Sequence, residues 1–358
     1  MYSPTISSPN PFFIRAIHIN SYNNNQRVQI TNYKYNLVSS KRSRLYARNS
    51  VNQEKEAQIS QEREDIANGG GGGGGSSTSF LSILCPLLKL FSAGDPSGER
   101  NYLLEEATSS LSTLARFPWG SKSLSDGLSD QQKVDPPLRL QLYEFEACPF
   151  CRRVREAITE LDLSVEIFPC PKGSVKHRAM VQRLGGREQY VTSVFIALQK
   201  GHILCRFPFL VDPNTGTTLY ESSDIVKYLF QQYGGKRNPS FGLLESTLLT
   251  GWVPTLLRAG RGMTLWDKSI IEPPAGKLEL FSYENNPYAR IVREALCELE
   301  LPYVLQSVGQ GSIRAKLLYE MSGSKEVPYL VDPNTGMEIG EYKKIISYLF
   351  QTYSFPST

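Results

Sequence analysis

A stretch of this chain is written twice. Residues 142–157 (LYEFEACPFCRRVREA) match residues 280–295 (LFSYENNPYARIVREA), and 207–216 (FPFLVDPNTG) match 327–336 (VPYLVDPNTG). A chain that repeats a unit of this size must fold that unit twice, so each copy has to be a small domain with its own set of elements. The copies differ where chemistry is concerned. Cys148 and Cys151 of the first are Asn286 and Ala289 in the second.

Each copy reads as the order βαβ, α, ββα. Alternating Leu140, Leu142, Tyr143 and Phe145 mark a first strand that ends at the cysteine motif. Val154, Ala157, Ile158 and Leu161 then fall on one helix face, as do Val292, Ala295, Leu296 and Leu299 in the second copy. A strand over 165–168 and a helix over 175–184 follow. Two strands joined by Pro-Asn-Thr-Gly and a last helix through Ile225, Val226 and Leu229 complete the unit. The fold class is α/β, with two such domains in tandem, 138–235 and 277–354. A helical connector over 236–276, carrying Trp252, Leu256, Leu257 and Trp266, joins them.

Composition matters most at the N-terminus. Residues 1–53 hold seven Lys or Arg and no Asp or Glu, the bias of an organelle transit peptide, assigned here to 1–48. Its Ser and Asn richness favours the chloroplast, with the mitochondrion second. Removing those seven charges from a precursor of net +4 leaves 32 basic residues against 35 acidic ones, about −3, so the overall charge gives no reason to expect a nucleic-acid partner. A disordered linker over 49–79 contains seven consecutive glycines, 69–75. Within the helical segment and linker of 80–137, the run 80–91 (FLSILCPLLKLF) is too short to span a bilayer; it reads as a core helix or as a peripheral membrane contact.

Six cysteines in a chain this large, with no secretory signal, point to a redox pair rather than a disulfide framework. Cys148 stands where a strand gives way to a helix, and unpaired N–H groups with the positive end of the helix dipole favour a thiolate there. Pro149 suits the first helical turn. Arg152 and Arg153 add positive charge. Cys151, one turn on, is placed to resolve a mixed disulfide on Cys148. A zinc half-site lacks a second pair of ligands at the right spacing, and no metal is expected. A purely structural pair stays open.

Cys148-Pro149-Phe150-Cys151 after a strand resembles the glutaredoxin active site, and the whole unit resembles the thioredoxin-like N-terminal domain of glutathione S-transferases. The tandem arrangement with its leader is similar to plant plastid thioredoxin-family proteins with two such domains. The resemblance implies that Phe207-Pro208 is the cis-proline site that receives the cysteinyl part of glutathione. It implies also that Glu221 and Ser222 bind the γ-glutamyl carboxylate at a helix N-terminus. Glutathione is then the co-substrate, and protein or small-molecule disulfides are the partners. The second copy keeps Pro328 but has Tyr342 in place of Ser222, so it reads as a structural or partner-binding copy. Full transferases carry a further helical domain, which the segment between the copies is too short to replace; disulfide exchange is therefore favoured over conjugation. A non-catalytic scaffold, a transferase-like activity and an iron–sulfur or haem ligand role for Cys148 remain alternatives. Residues 189–206 have no counterpart in the second copy. They read either as a retained intron or as a loop over the site.

Overall fold

The computed structural model describes residues 96–98, 100–124, 135–185 and 207–355, all within one unit of the chain, Glu62–Thr358. The leader, the linker of 49–79, the apolar run 80–91 and the insert 189–206 lie outside the described residues. Helix α1 (Tyr102–Leu114) precedes the first copy, which runs β1 (Leu140–Glu144), α2 (Pro149–Glu160), β2 (Ser164–Pro169), α3 (His177–Leu184), β3 (Phe209–Asp212), β4 (Thr217–Leu219) and α4 (Ser222–Tyr233). Short helices α5 (Ser246–Thr250) and α6 (Trp252–Leu257) lead to the second copy. It runs β5 (Leu278–Ser282), α7 (Pro287–Glu298), β6 (Tyr303–Ser307), α8 (Arg314–Ser322), β7 (Tyr329–Asp332), β8 (Met337–Ile339) and α9 (Tyr342–Thr352). Both copies are thus thioredoxin-like, as their residues predict.

Local chemistry explains the shared order. The α2 and α7 helices begin with proline at the first turn and a side-chain cap: Cys148 Sγ accepts from the Cys151 amide at 3.3 Å, and Asn286 Oδ1 from the Ala289 amide at 2.8 Å. Each Asp-Pro-Asn-Thr-Gly turn is tied by its aspartate, Asp212 or Asp332, which accepts from the amide two residues on at 2.8 Å. The turn closes on Gly216 or Gly336, at φ +70° and +73°.

The two domains are not beads on a helical string. Their strands form one eight-stranded sheet in the order β4-β3-β1-β2-β6-β5-β7-β8, with β2 antiparallel to β6. Its register centres on Glu166 opposite Val304, which hold the same position in the two copies, so the join is a pseudo-two-fold axis. Joining here also removes the exposed edge that β2 would otherwise present. The predicted helix faces are buried in a single core that includes Val154 and Ile158 of one copy and Val292 and Leu296 of the other.

The connector is less helical than its apolar pattern predicts. After α6 the backbone turns through Ala259, Gly260 and Gly262, at φ +48°, +75° and +73°, which a helix cannot contain. The structure shows this segment to be half of a second duplication. Residues 102–124 and 244–266 occupy equivalent places, sharing Thr-Leu-x-Arg-x-x-x-Gly at 113–120 and 255–262. Helix α1 packs on α7 and α6, whereas α5 and α6 pack on α2, so each arm lies against the helix of the other unit's domain. Arg116 pairs with Glu156 and bonds Ser246 and Thr250, both at 3.0 Å. Arg258 mirrors it, holding Glu294 at 2.6 Å, Glu105 at 3.1 Å and Thr108 at 2.8 Å. Lys122 bridges to Gln310, and Thr264 bridges to Lys172.

Candidate functional site

Cys148 holds an extended conformation at the N-cap of α2, and it is 5% exposed; Cys151 is fully buried one turn later. Burial resists ionisation of both thiols. For Cys148 that cost is outweighed by hydrogen bonds from the Cys151 thiol and from the Cys151 and Phe150 amides, which together draw its pKa below the ordinary thiol value. For Cys151 burial, its own donation to Cys148, and the negative charges of Cys148 and Glu144 all push upward, well above that value. The two thiols therefore differ in opposite directions, Cys148 ionising more readily than an ordinary thiol and Cys151 holding its proton. Neither is in a disulfide.

The Phe207–Pro208 bond is cis. Phe207 meets Phe145 edge-on at 6.0 Å, and the Arg178 guanidinium lies 4.9 Å over its ring. Glu221 is the N-cap of α4 and Ser222 its first residue. A cleft of about 520 Å³ brings together Phe150, Phe207, Glu221 and Ser222 with Arg153, and the α5 arm closes it with Leu244 and Leu248. Of the predicted site residues, Phe207, Glu221 and Ser222 line the cleft, while Cys148 and Cys151 sit at the start of the helix that carries Phe150.

The two arginines of the motif part ways. Arg153 donates to Ser222 Oγ at 2.5 Å and to the Leu244 carbonyl at 2.9 Å, which puts a cation at the end of the cleft where an anionic ligand group would meet the α4 N-terminus. Arg152, expected to add charge near Cys148, turns instead toward the second domain and bonds Glu156 at 3.2 Å and Asn285 at 2.9 Å. It belongs to a buried network along the pseudo-two-fold axis. There Arg155 contacts Glu144, Glu146 and Glu284, and Arg293 holds Glu146 and Glu284, both at 3.1 Å. Arg290 mirrors Arg152 with Glu294 at 3.1 Å.

Sequence reasoning missed the arm residues Leu244, Leu248, Arg116 and Arg258. The repeated Thr-Leu-x-Arg-x-x-x-Gly was the available signal, too short to stand out beside the longer repeats. Among the described residues no group of His, Cys, Asp or Glu is placed to hold a metal ion, and no helix is long and apolar enough to cross a membrane.

The fold defines a tandem thioredoxin-like protein in which one copy carries the cysteine pair. Residues 142–237 and 280–357 each match the family model of the glutathione S-transferase N-terminal domain, which points to a glutathione-related function. No curated protein and no solved structure matches the chain.

Proposed function

We infer that the protein is a glutathione-dependent thiol–disulfide oxidoreductase of glutaredoxin type, acting in the chloroplast. The opposed ionisation of Cys148 and Cys151 at one helix N-terminus carries this reading. In it, the Cys148 thiolate attacks one sulfur of a disulfide, forms a mixed disulfide and releases the other sulfur as a thiol. Cys151 loses its proton and attacks the Cys148 sulfur, releasing the second thiol and leaving a Cys148–Cys151 disulfide. One glutathione opens that bond by attacking Cys148; a second removes the first as oxidised glutathione, so two electrons pass from glutathione to the substrate. Phe207, Glu221 and Ser222 of the cleft, with Pro208 next to Phe207 in the chain, hold glutathione in this reading, with Arg153 beside the carboxylate end.

Glutathione-dependent reduction of a disulfide substrate by the protein and by Cys148→Ser tests this: the variant is expected to lose activity to background, and equal rates overturn the reading. The rival is a binding protein whose two domains serve only as interaction surfaces. It gains support if alkylation of Cys148 follows the pH profile of an ordinary thiol; the redox reading expects a midpoint below about 8.5.

A further inference from the structure

Every other arginine buried among the described residues is in an ion pair; Arg153 is in none. It is 5% exposed and lines the cleft of the first copy. Its hydrogen bonds go to neutral oxygens, the Ser222 hydroxyl and the Leu244 carbonyl, and its Nε has no partner. Glu156, one turn along α2, is engaged by Arg116 and Arg152. Burial, and after it Arg116, pull the pKa of Arg153 down, and Glu156, Glu245 and Cys148 do not cancel them. A buried cation left to neutral acceptors is costly, and an anion brought into the cleft relieves that cost.

The surroundings narrow what the anion can be. The N-terminus of α4 is open beside Arg153: Glu221 makes no side-chain cap, and the Ser222 and Ser223 amides have no hydrogen-bond partner among the described residues. Glu221 and Glu245, both exposed, line the same cleft. A phosphate or sulfate drawn to Arg153 is repelled by these two carboxylates, whereas a group with a carboxylate and an ammonium on one carbon meets a partner for each charge. Phe150, Leu244 and Leu248 add apolar walls that suit a methylene chain behind such a group. The copy without cysteines has lost the whole set. Ile291 stands in place of Arg153, Tyr342 in place of Ser222, and Leu103, at the equivalent position of the other arm, in place of Glu245.

We propose that Arg153 and Glu245 set the specificity of this cleft by reading the α-amino carboxylate end of its thiol or disulfide ligand, Arg153 pairing with the carboxylate and Glu245 accepting from the ammonium. Glutathione carries such an end on its γ-glutamyl residue. The inference rests on the glutathione-dependent reading for the chemistry at Cys148, but the recognition itself needs no thiol.

The test titrates the full chain by calorimetry with S-methylglutathione and two S-methyl analogues, glutaryl-cysteinylglycine, which lacks the ammonium, and 4-aminobutyryl-cysteinylglycine, which lacks the carboxylate. Both analogues are expected to bind more weakly than S-methylglutathione. Arg153→Leu is expected to weaken S-methylglutathione by about tenfold or more, as loss of a charge-assisted hydrogen bond does, and to leave the 4-aminobutyryl analogue as it was. Glu245→Gln, on an exposed side chain, is expected to weaken S-methylglutathione severalfold and to leave the glutaryl analogue as it was. Equal affinity for the three ligands, no binding of S-methylglutathione, or a loss in either variant that is the same for the ligand lacking its partner group overturns the proposal. Disulfide reduction that persists with an unchanged KM for glutathione in both variants also overturns it and leaves the redox reading standing. The expected binding pattern in a protein without reductase activity does the reverse.

Discussion

Glu144 and its counterpart Ser282 are where the pseudo-symmetry of the buried network breaks. Arg155 is shared among Glu144, Glu146 and Glu284, so burial dominates at Glu144 and its pKa rises from 4.5 to about 7. Glu284 and Glu294, which burial also opposes, each lie against two or more arginines and fall to about 2. A carboxyl raised in the folded state stabilises the fold in its protonated form, so that contribution is complete below 4.5 and is lost as pH rises through about 7. The lowered pair contribute above 4.5 and lose that only as pH falls toward 2. The unfolding free energy is therefore expected to decline from about pH 5 to about pH 8. Glu144→Gln removes much of that slope and leaves Arg155 paired with Glu146 and Glu284. Glu160, also raised to about 7 by burial, accounts for a remainder. Urea denaturation at a series of pH values measures it, and an unchanged slope in the variant rules out Glu144 as the source.

The arms are the elements that make two domains into one body, and each turns at a glycine. Gly120 and Gly262 sit at φ +68° and +73°, pressed against network carboxylates of both copies; a Cβ on Gly262 comes within 2.7 Å of the Glu146 Cβ. Gly216 has nearly the same φ, +70°, with nothing within 4 Å of an added Cβ. Gly216→Ala therefore carries backbone strain alone, on the order of 1 kcal/mol. Gly262→Ala adds the clash and is expected to cost about 2–3 kcal/mol. Comparing denaturation midpoints separates the two effects; equal losses mean the arm yields without disturbing the network.

At the scale of the molecule, α1 of the first arm rests on the second domain, α5 and α6 rest on the first, and β2 and β6 complete one sheet. A break between 235 and 244 leaves each half with an open strand edge and severs buried ion pairs that cross it, among them Glu105 with Arg258, Glu146 with Arg293 and Arg155 with Glu284. Removing one partner of a buried ion pair costs about 3–5 kcal/mol, and several are disturbed at once. Halves 96–238 and 239–358 are expected to be unfolded or aggregated when made separately and to copurify as an equimolar complex when coexpressed. A folded, monomeric first half with a sharp unfolding transition counts against this interdependence.

What the sequence by itself determined is whatever short windows encode. Apolar periodicity placed the α2 and α7 faces, Pro149 marked a helix start, the Pro-Asn-Thr-Gly turns joined strand pairs, and the cysteine motif with Phe207-Pro208 and Glu221-Ser222 marked one candidate site. Each of these rests on residues close together in the chain. Tertiary structure alone decided the rest: that β2 pairs with β6, that the arms cross, that Arg153 reaches Ser222 while its neighbour Arg152 turns to Asn285 of the other copy. Adjacent residues on a helix point in different directions, and only the docked partner decides which direction meets a charge or a ligand. The reason is physical: an edge strand or a buried guanidinium settles on the complement that best satisfies it, and that complement lies far along the chain, 69 residues away for Arg153 and 133 for Arg152, where no local pattern records it.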